Sequence, residues 1–242
     1  MKRKMKCWTN RALLLLFPPK CVGCGELMSV REGEREVFCP FCRTRWEQAR
    51  LPLEDTLTDE ASSILGIASV VEYQPGHNDG VAERLIYHIK HKDHNRVFDF
   101  AAKEMHLGVE RLIREKQIDE KNLWISYPPR RKTAVRKDGF DQAHRLAKAL
   151  SLCTGWPMKS LLIRAHDKKE QKTLGREARV ENAMAAYELG NRIPSLEGKT
   201  IVLIDDLYTT GATLRACAKL LSEAGADGMV LVTIARTRSP KP

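Results

Sequence analysis

At 242 residues the chain can bury a full core and suits one moderate domain plus a small appendage. Its 41 Lys and Arg against 31 Asp and Glu leave a formal charge of +10, a surplus that favours polyanionic partners such as nucleotides, pyrophosphate or nucleic acid and that also serves plain solubility. No apolar run approaches the length needed to span a bilayer, so stable membrane insertion is not expected.

The basic N-terminus leads into Ala12 to Phe17, an apolar stretch stopped by Pro18-Pro19. It is short for the apolar region of a secretory signal, so the expectation is a cytoplasmic protein in which this stretch forms a short helix packed on the next module. That module carries Cys21-Val-Gly-Cys24 and Cys39-Pro-Phe-Cys42, two CxxC knuckles. Four thiolates so spaced suit a tetrahedral zinc ion, and a module this small needs a metal as its core. Two disulfides or a redox CxxC are the alternatives, and a cytosolic setting argues against the disulfides. With no open ligand position, the zinc is expected to be structural. The extended Glu36-Val-Phe38 would return to the second knuckle as in a zinc ribbon. Cys7, Cys153 and Cys217 lack partners at ligand spacing and read as free thiols.

The polar, acidic stretch 51–60 reads as a linker, which divides the chain into a helix and zinc ribbon over 1–50 and a larger domain over 61–242. In that domain Ile64 to Tyr73 reads as a strand. Val81, Leu85, Ile86 and Ile89 repeat at helical spacing, and Val97, Phe100, Ala101, Met105, Leu107 and Leu112 continue the pattern after a polar break. His88, His91 and His94 lie on or near one helical face; a second metal site is conceivable, but a basic surface is the preferred reading. Leu123 to Ser126 is a short strand, and Gln142 to Leu152 a helix. Leu161 to Arg164 and Tyr187 to Leu189 are candidate strands around a long polar segment, 165–185, and Met229 to Ala235 is a final strand. Strands alternating with helices indicate an α/β fold with a mainly parallel sheet and right-handed crossovers. The Ser239 to Pro242 end reads as a tail.

The most informative stretch is Thr200-Ile-Val-Leu-Ile-Asp-Asp-Leu-Tyr-Thr-Thr-Gly-Ala-Thr213. Ile201 to Ile204 suit a central parallel strand covered on both faces. Asp205 and Asp206 follow at the carboxyl end, where open α/β sheets bind ligands. Thr209, Thr210, Gly211, Ala212 and Thr213 then form a turn that opens a helix, a place that attracts phosphate. Ionised carboxylates accept hydrogen bonds from a diol, while hydroxyls and amides donate to phosphate. The plainer reading is a strand ending in a solvated Asp-Asp turn.

This stretch resembles the phosphoribosyl-pyrophosphate (PRPP) motif of type I phosphoribosyltransferases at every position. The resemblance implies that Asp205 and Asp206 bind the ribose hydroxyls and that residues 209–213 bind the 5′-phosphate, with Mg²⁺ bridging pyrophosphate and ribose oxygens. It also implies a pyrophosphate-binding loop at Ser126-Tyr-Pro-Pro-Arg130, with Pro128 shaping it and Arg130 supplying charge. The basic run Arg130, Arg131, Lys132, Arg136 and Lys137 could neutralise pyrophosphate, track a nucleic-acid backbone, or simply be solvated. The segment 165–185 would correspond to the loop that closes over PRPP.

The order of the pieces is similar to the ComF-type competence proteins, which join a zinc ribbon to a phosphoribosyltransferase-like domain. The marks are Leu15-Leu-Phe-Pro-Pro-Lys-Cys21, the four cysteines, Gly139-Phe-Asp-Gln142, Gln171-Lys-Thr-Leu174, Arg179-Val-Glu-Asn182 and the PRPP motif; Lys90 also falls at a lysine of that family. Departures are Ser126-Tyr127, where Val-Pro is usual, and Asp141, where Asn is common. The resemblance implies DNA uptake in natural transformation, single-stranded DNA as a partner and a helicase-like ATPase encoded alongside. Phe140, Tyr127, Trp46 and Trp124 are candidate stacking platforms for bases. The competing readings are an active phosphoribosyltransferase with an unknown acceptor and a PRPP-sensing regulator. The 6-oxopurine enzymes carry an Asp where this chain has Thr209, which argues against that acceptor class.

Overall fold

The structure, a computed structural model, describes residues 18–52, 63–74, 76, 80–165 and 185–237. The expected helix at 12–17, most of the linker, the Gln171 and Arg179 motifs and the C-terminal tail lie outside the described residues.

Apolar runs with β-branched residues become the strands of one sheet. Strands β1 (Ile64–Tyr73), β2 (Leu123–Ser126), β5 (Thr200–Tyr208) and β6 (Gly228–Thr237) are all parallel, in the order β1-β6-β5-β2. β5 and β6 occupy the centre and are buried almost throughout, which is why they read as continuous apolar runs. Val202 and Ile204 of β5 face one layer, and Ile201 and Leu203 the other, as the period of two requires.

The first layer consists of helices α3 (Val81–His91), α4 (Asn95–Glu115) and α6 (Gln142–Thr154). Their buried stripes recur at helical spacing: Leu85 and Ile89 in α3, Val97, Ala101, Met105, Val109 and Leu112 in α4, Leu146 and Leu150 in α6. The second layer is thinner. It holds α7 (Ala212–Glu223) and an antiparallel ribbon of β3 (Leu162–Arg164) and β4 (Tyr187–Leu189). Both strands form where the sequence places them, but they pair with each other and stay out of the main sheet. Leu162, Tyr187 and Leu189 pack on the second layer's core, while Ile163 and Glu188 are exposed on the opposite face.

The basic run after β2 is helical rather than a loop: α5 spans Lys132–Asp138 and stops at Gly139, whose φ of 84° a residue with a Cβ adopts only at a cost. The cysteine segment is also more helical than a ribbon of strands. It holds α1 (Val30–Arg35), started by a Ser29–Glu32 capping box, and α2 (Pro40–Ala49), which opens with proline directly after Cys39. One isolated antiparallel bridge, Lys20 to Leu27, closes the first knuckle.

This segment is packed into the first layer. The Phe38, Trp46 and Phe100 rings lie 5.2–5.6 Å apart between centroids, and Trp46 is fully buried. Trp46 Nε1 donates to Glu104 of α4 at 3.0 Å, and Arg43 and Arg50 approach the same carboxylate at 3.5 and 3.3 Å. After α2 the chain runs beside β1: Arg50 bridges Val71, and the Leu51 N–H donates to the Val70 carbonyl.

Candidate functional site

The carboxyl ends of β2 and β5 are neighbours, and their loops enclose an open cleft lined by Pro128, Arg130, Arg131, Gln142, Asp205 and Thr213, among others. The ladder of β5 continues through the acids to Tyr208. Asp205 faces the cleft. Asp206 points to the other layer, where Lys90 Nζ of α3 lies 3.9 Å from its Oδ2. The two carboxyls remain coupled through the Asp206 N–H, which donates to Asp205 Oδ1 at 2.9 Å. Alternation breaks just after them, since Leu207 packs on the first layer and Tyr208 on the second.

The electrostatics of this pair are unfavourable as it stands. Burial, and then the Asp206 carboxylate beside it, push the Asp205 carboxyl well above the usual carboxylate range. Asp206 is 7% exposed, and its Oδ2 has no hydrogen-bond partner. Two acids held together with an orphan oxygen are arranged for something that donates hydrogen bonds or carries positive charge.

The turn that follows has the predicted geometry. Gly211 is left-handed at φ 72° and caps α7; a Cβ there would meet the Tyr208 ring, with its hydroxyl at 2.3 Å. Thr209 is exposed, Thr210 and Thr213 are half-buried, and Ala212 is buried at the first turn of the helix. Tyr208 was not singled out from sequence. Its hydroxyl receives Arg215 Nε and Nη2 at 3.3 and 3.2 Å, which locks the ring beneath the glycine.

In the loop after β2, Pro128 is buried and Arg130 half-buried. Arg130 Nη2 bonds Asp138 at 2.8 Å, and its backbone N–H donates to Asp141 Oδ2 at 2.9 Å. Asp141 Oδ1 accepts from the His144 N–H at 3.1 Å, so one carboxylate caps α6 and pins the loop together. The exposed cations of the basic run, Lys132, Arg136 and Lys137, lie on α5. Of the four aromatics expected as platforms, Trp46 and Phe140 are core residues, whereas Tyr127 and Trp124 are half-buried.

Cys21, Cys24, Cys39 and Cys42 come together with all four sulfurs within 4.8 Å of one another. A zinc ion with Zn–S of about 2.3 Å sets sulfurs roughly 3.8 Å apart at the corners of a tetrahedron. The Cys24 and Cys39 sulfurs are 3.9 Å apart, and none of the four is in a disulfide. Burial pushes the Cys21 thiol up, but the backbone N–H groups of Cys39, Cys24 and Gly23 outweigh it, and the thiol settles at about 7. Burial and its thiol neighbours push Cys42 up. One ready thiolate among closely packed sulfurs suits a cation, and the set fits zinc. His88, His91 and His94 form no such cluster: among the described residues only the four cysteines converge on one point. His88 is half-buried with an unpartnered Nδ1.

A parallel sheet layered by helices, with paired acids and a glycine turn at the end of a central strand, defines a type I phosphoribosyltransferase fold, and residues 133–242 match the phosphoribosyl transferase domain family. About two fifths of the chain is similar to the ComFC competence proteins, and the four-cysteine cluster lies ahead of the phosphoribosyl transferase domain. It is 38% identical over 97 residues to competence protein ComFC of Bacillus subtilis (strain 168), covering 40% of this chain and 37% of that one. To ComFC of Streptococcus pneumoniae it is 35% identical over 99 residues, 40% of this chain and 41% of the other. Adenine phosphoribosyltransferase of Nocardia farcinica is 38% identical over 67 residues, 28% of this chain and 35% of that enzyme. The matches thus span roughly two fifths or less of each relative's length. Among solved structures, a hypoxanthine phosphoribosyltransferase from Staphylococcus aureus aligns over 64% of this chain and 76% of its own, with 15% identity and a TM-score of 0.35.

Proposed function

We propose that the protein binds PRPP with Mg²⁺ in the cleft at the end of β5 and acts in DNA uptake, handling single-stranded DNA. The observation that carries the PRPP reading is the state of the acid pair. Asp205 is burdened by burial and by its neighbour, and Asp206 keeps a buried oxygen without a hydrogen-bond partner. A ribose diol would supply the missing donors, and Mg²⁺ held near Asp205 and Asp206 would relieve the repulsion between them. The backbone of Thr209 to Thr213, at the positive end of α7, suits the 5′-phosphate. Pro128 and Arg130 would lie at the pyrophosphate end. Calorimetry with PRPP and Mg²⁺ tests this: Asp205→Asn and Asp206→Asn should each weaken binding by at least tenfold, and equal affinity in wild type and variants would sink the idea.

For DNA, the support is the exposed cationic face of α5 beside the cleft, together with the competence relatives. Neutralising Lys132, Arg136 and Lys137 should weaken single-stranded DNA binding and flatten its dependence on salt. An unchanged mobility shift refutes the assignment. A helicase-like ATPase partner and a cytoplasmic setting belong to the same reading. The second reading is phosphoribosyl transfer to an acceptor, favoured by the similarity to adenine phosphoribosyltransferase. Pyrophosphate release from PRPP across a panel of bases discriminates the two, with none released by a binding protein.

A further inference from the structure

Arg96 lies in the first turn of α4, where the helix dipole disfavours a cation and no acidic residue offsets it. Its guanidinium reaches instead onto the cysteine segment. Nη1 donates to the Gly33 carbonyl, and Nη2 donates at 3.3 Å to the Lys20 carbonyl, the oxygen of the peptide that leads into Cys21. Gly33 leaves room for this approach, because a Cβ there would meet the Pro19 ring and come within 3.3 Å of Arg96 Nη1. Arg130 and Arg145, half-buried like Arg96, are held by Asp138 and Asp93. Arg96 has no such partner: among the described residues no carboxylate lies within ion-pair distance of it. Burial pulls its guanidinium below the ordinary value, and the Cys21 sulfur is the group that pushes back.

We propose that Arg96 is a positioning and charge-balancing residue of the four-cysteine centre, its fixed positive charge offsetting the negative charge that four thiolates leave around a bound Zn²⁺. The inference rests on zinc being the cation the sulfurs hold. Four thiolates on one divalent ion carry a net double negative charge, and the burial of Cys21 and Cys42 keeps solvent from screening it on that side. A half-buried guanidinium without a carboxylate is costly alone, so the two unbalanced charges relieve each other. Arginine suits the place because its planar fork bonds two carbonyls at once and stays charged, which sets the cation beside the knuckle without competing for the metal. The same two bonds hold the entry to the first knuckle and the turn of α1 in place around the sulfurs. Groups beyond the ligands tune metal affinity in this way.

The test is the zinc affinity of the full chain, measured by competition with a chromogenic chelator. Arg96→Met should bind zinc about tenfold more weakly or worse. Arg96→Lys, which keeps the charge, should lose less than Arg96→Gln, which keeps a hydrogen-bond donor without the charge. Cobalt-loaded variants should retain the visible bands of a tetrahedral four-thiolate site, as expected when the ligands themselves are intact. Unchanged zinc affinity in Arg96→Met overturns the inference. So does a Gln variant that binds as well as the Lys variant, the mark of a neutral hydrogen bond. Altered cobalt bands in every variant overturn it too, since the arginine would then shape the ligand set rather than balance its charge. The comparison of Lys with Gln decides the matter if the Met variant does not fold. A wild type that holds no zinc overturns the zinc reading and the inference with it, whereas tight zinc binding indifferent to Arg96 overturns the inference alone.

Discussion

Asp205 concentrates the conflict between stability and binding at a single residue. Its carboxyl is raised in the folded chain by burial first and Asp206 second, and returns to an ordinary value on unfolding. A raised group holds its proton more tightly when folded. Its contribution is therefore full below the ordinary carboxylate range and is lost as pH rises through the folded value. We expect ligand-free wild type to lose thermal stability over that rise, and Asp205→Asn to be flatter and more stable at neutral pH by about 0.5–2 kcal/mol. Melting curves from pH 4 to 8 check this; a variant no more stable than wild type at pH 7 contradicts it. The acids, the glycine and the four cysteines were legible in the sequence because each is a short motif whose chemistry is local. Lys90 was visible only as a matched family position, and nothing in the sequence linked it to Asp206, 116 positions along by the numbering. The cross-strand contact of Arg164 with Tyr187 gave no signal beyond its strands, since it forms across a long connection.

At the scale of elements, periodicity announced the long helices and the central strands, and it failed where elements are short. The seven residues of α5 include only Ala134 and Val135 as apolar positions, both half-buried, so no stripe could be read. The three-residue strands β3 and β4 have no period to read, and which strand they pair with depends on tertiary context. Asp141 shows how such an element is fixed. One carboxylate oxygen caps α6 and the other holds the Arg130 N–H, a double role that an amide cannot fill because only one of its terminal atoms accepts. Asp141→Asn should thus cost about 1 kcal/mol by loss of one bond, and Asp141→Ala about 2 kcal/mol by loss of both. Denaturant unfolding measures the difference; an Asn variant as stable as wild type would show that the bond to the loop contributes nothing.

At the scale of the molecule, the knuckles look separate in sequence and are not separate in the core. Phe38 and Trp46 share an aromatic cluster with Phe100, and Glu104 of α4 gathers Trp46, Arg43 and Arg50 around one buried carboxylate. Side chains from residues 54 to 62 positions apart decide this, which no local pattern encodes. Stripping the metal with a chelator should therefore lower the melting temperature of the whole chain in a single transition and weaken PRPP binding, although the cysteines are remote from the acids in sequence. Two separate transitions, with the second unmoved by chelation, would show that the units unfold independently.

The short run in which Arg50 and Leu51 pair with Val71 and Val70 has a consequence for solubility. β1 has β6 on one side only, and its other side would present unpaired N–H and C=O groups flanked by Val70 and Val71. Those groups would form a template for strand addition by another molecule. The cysteine segment ends by covering this margin, so a truncated chain that starts at residue 63 would lose its guard against self-association as well as its metal.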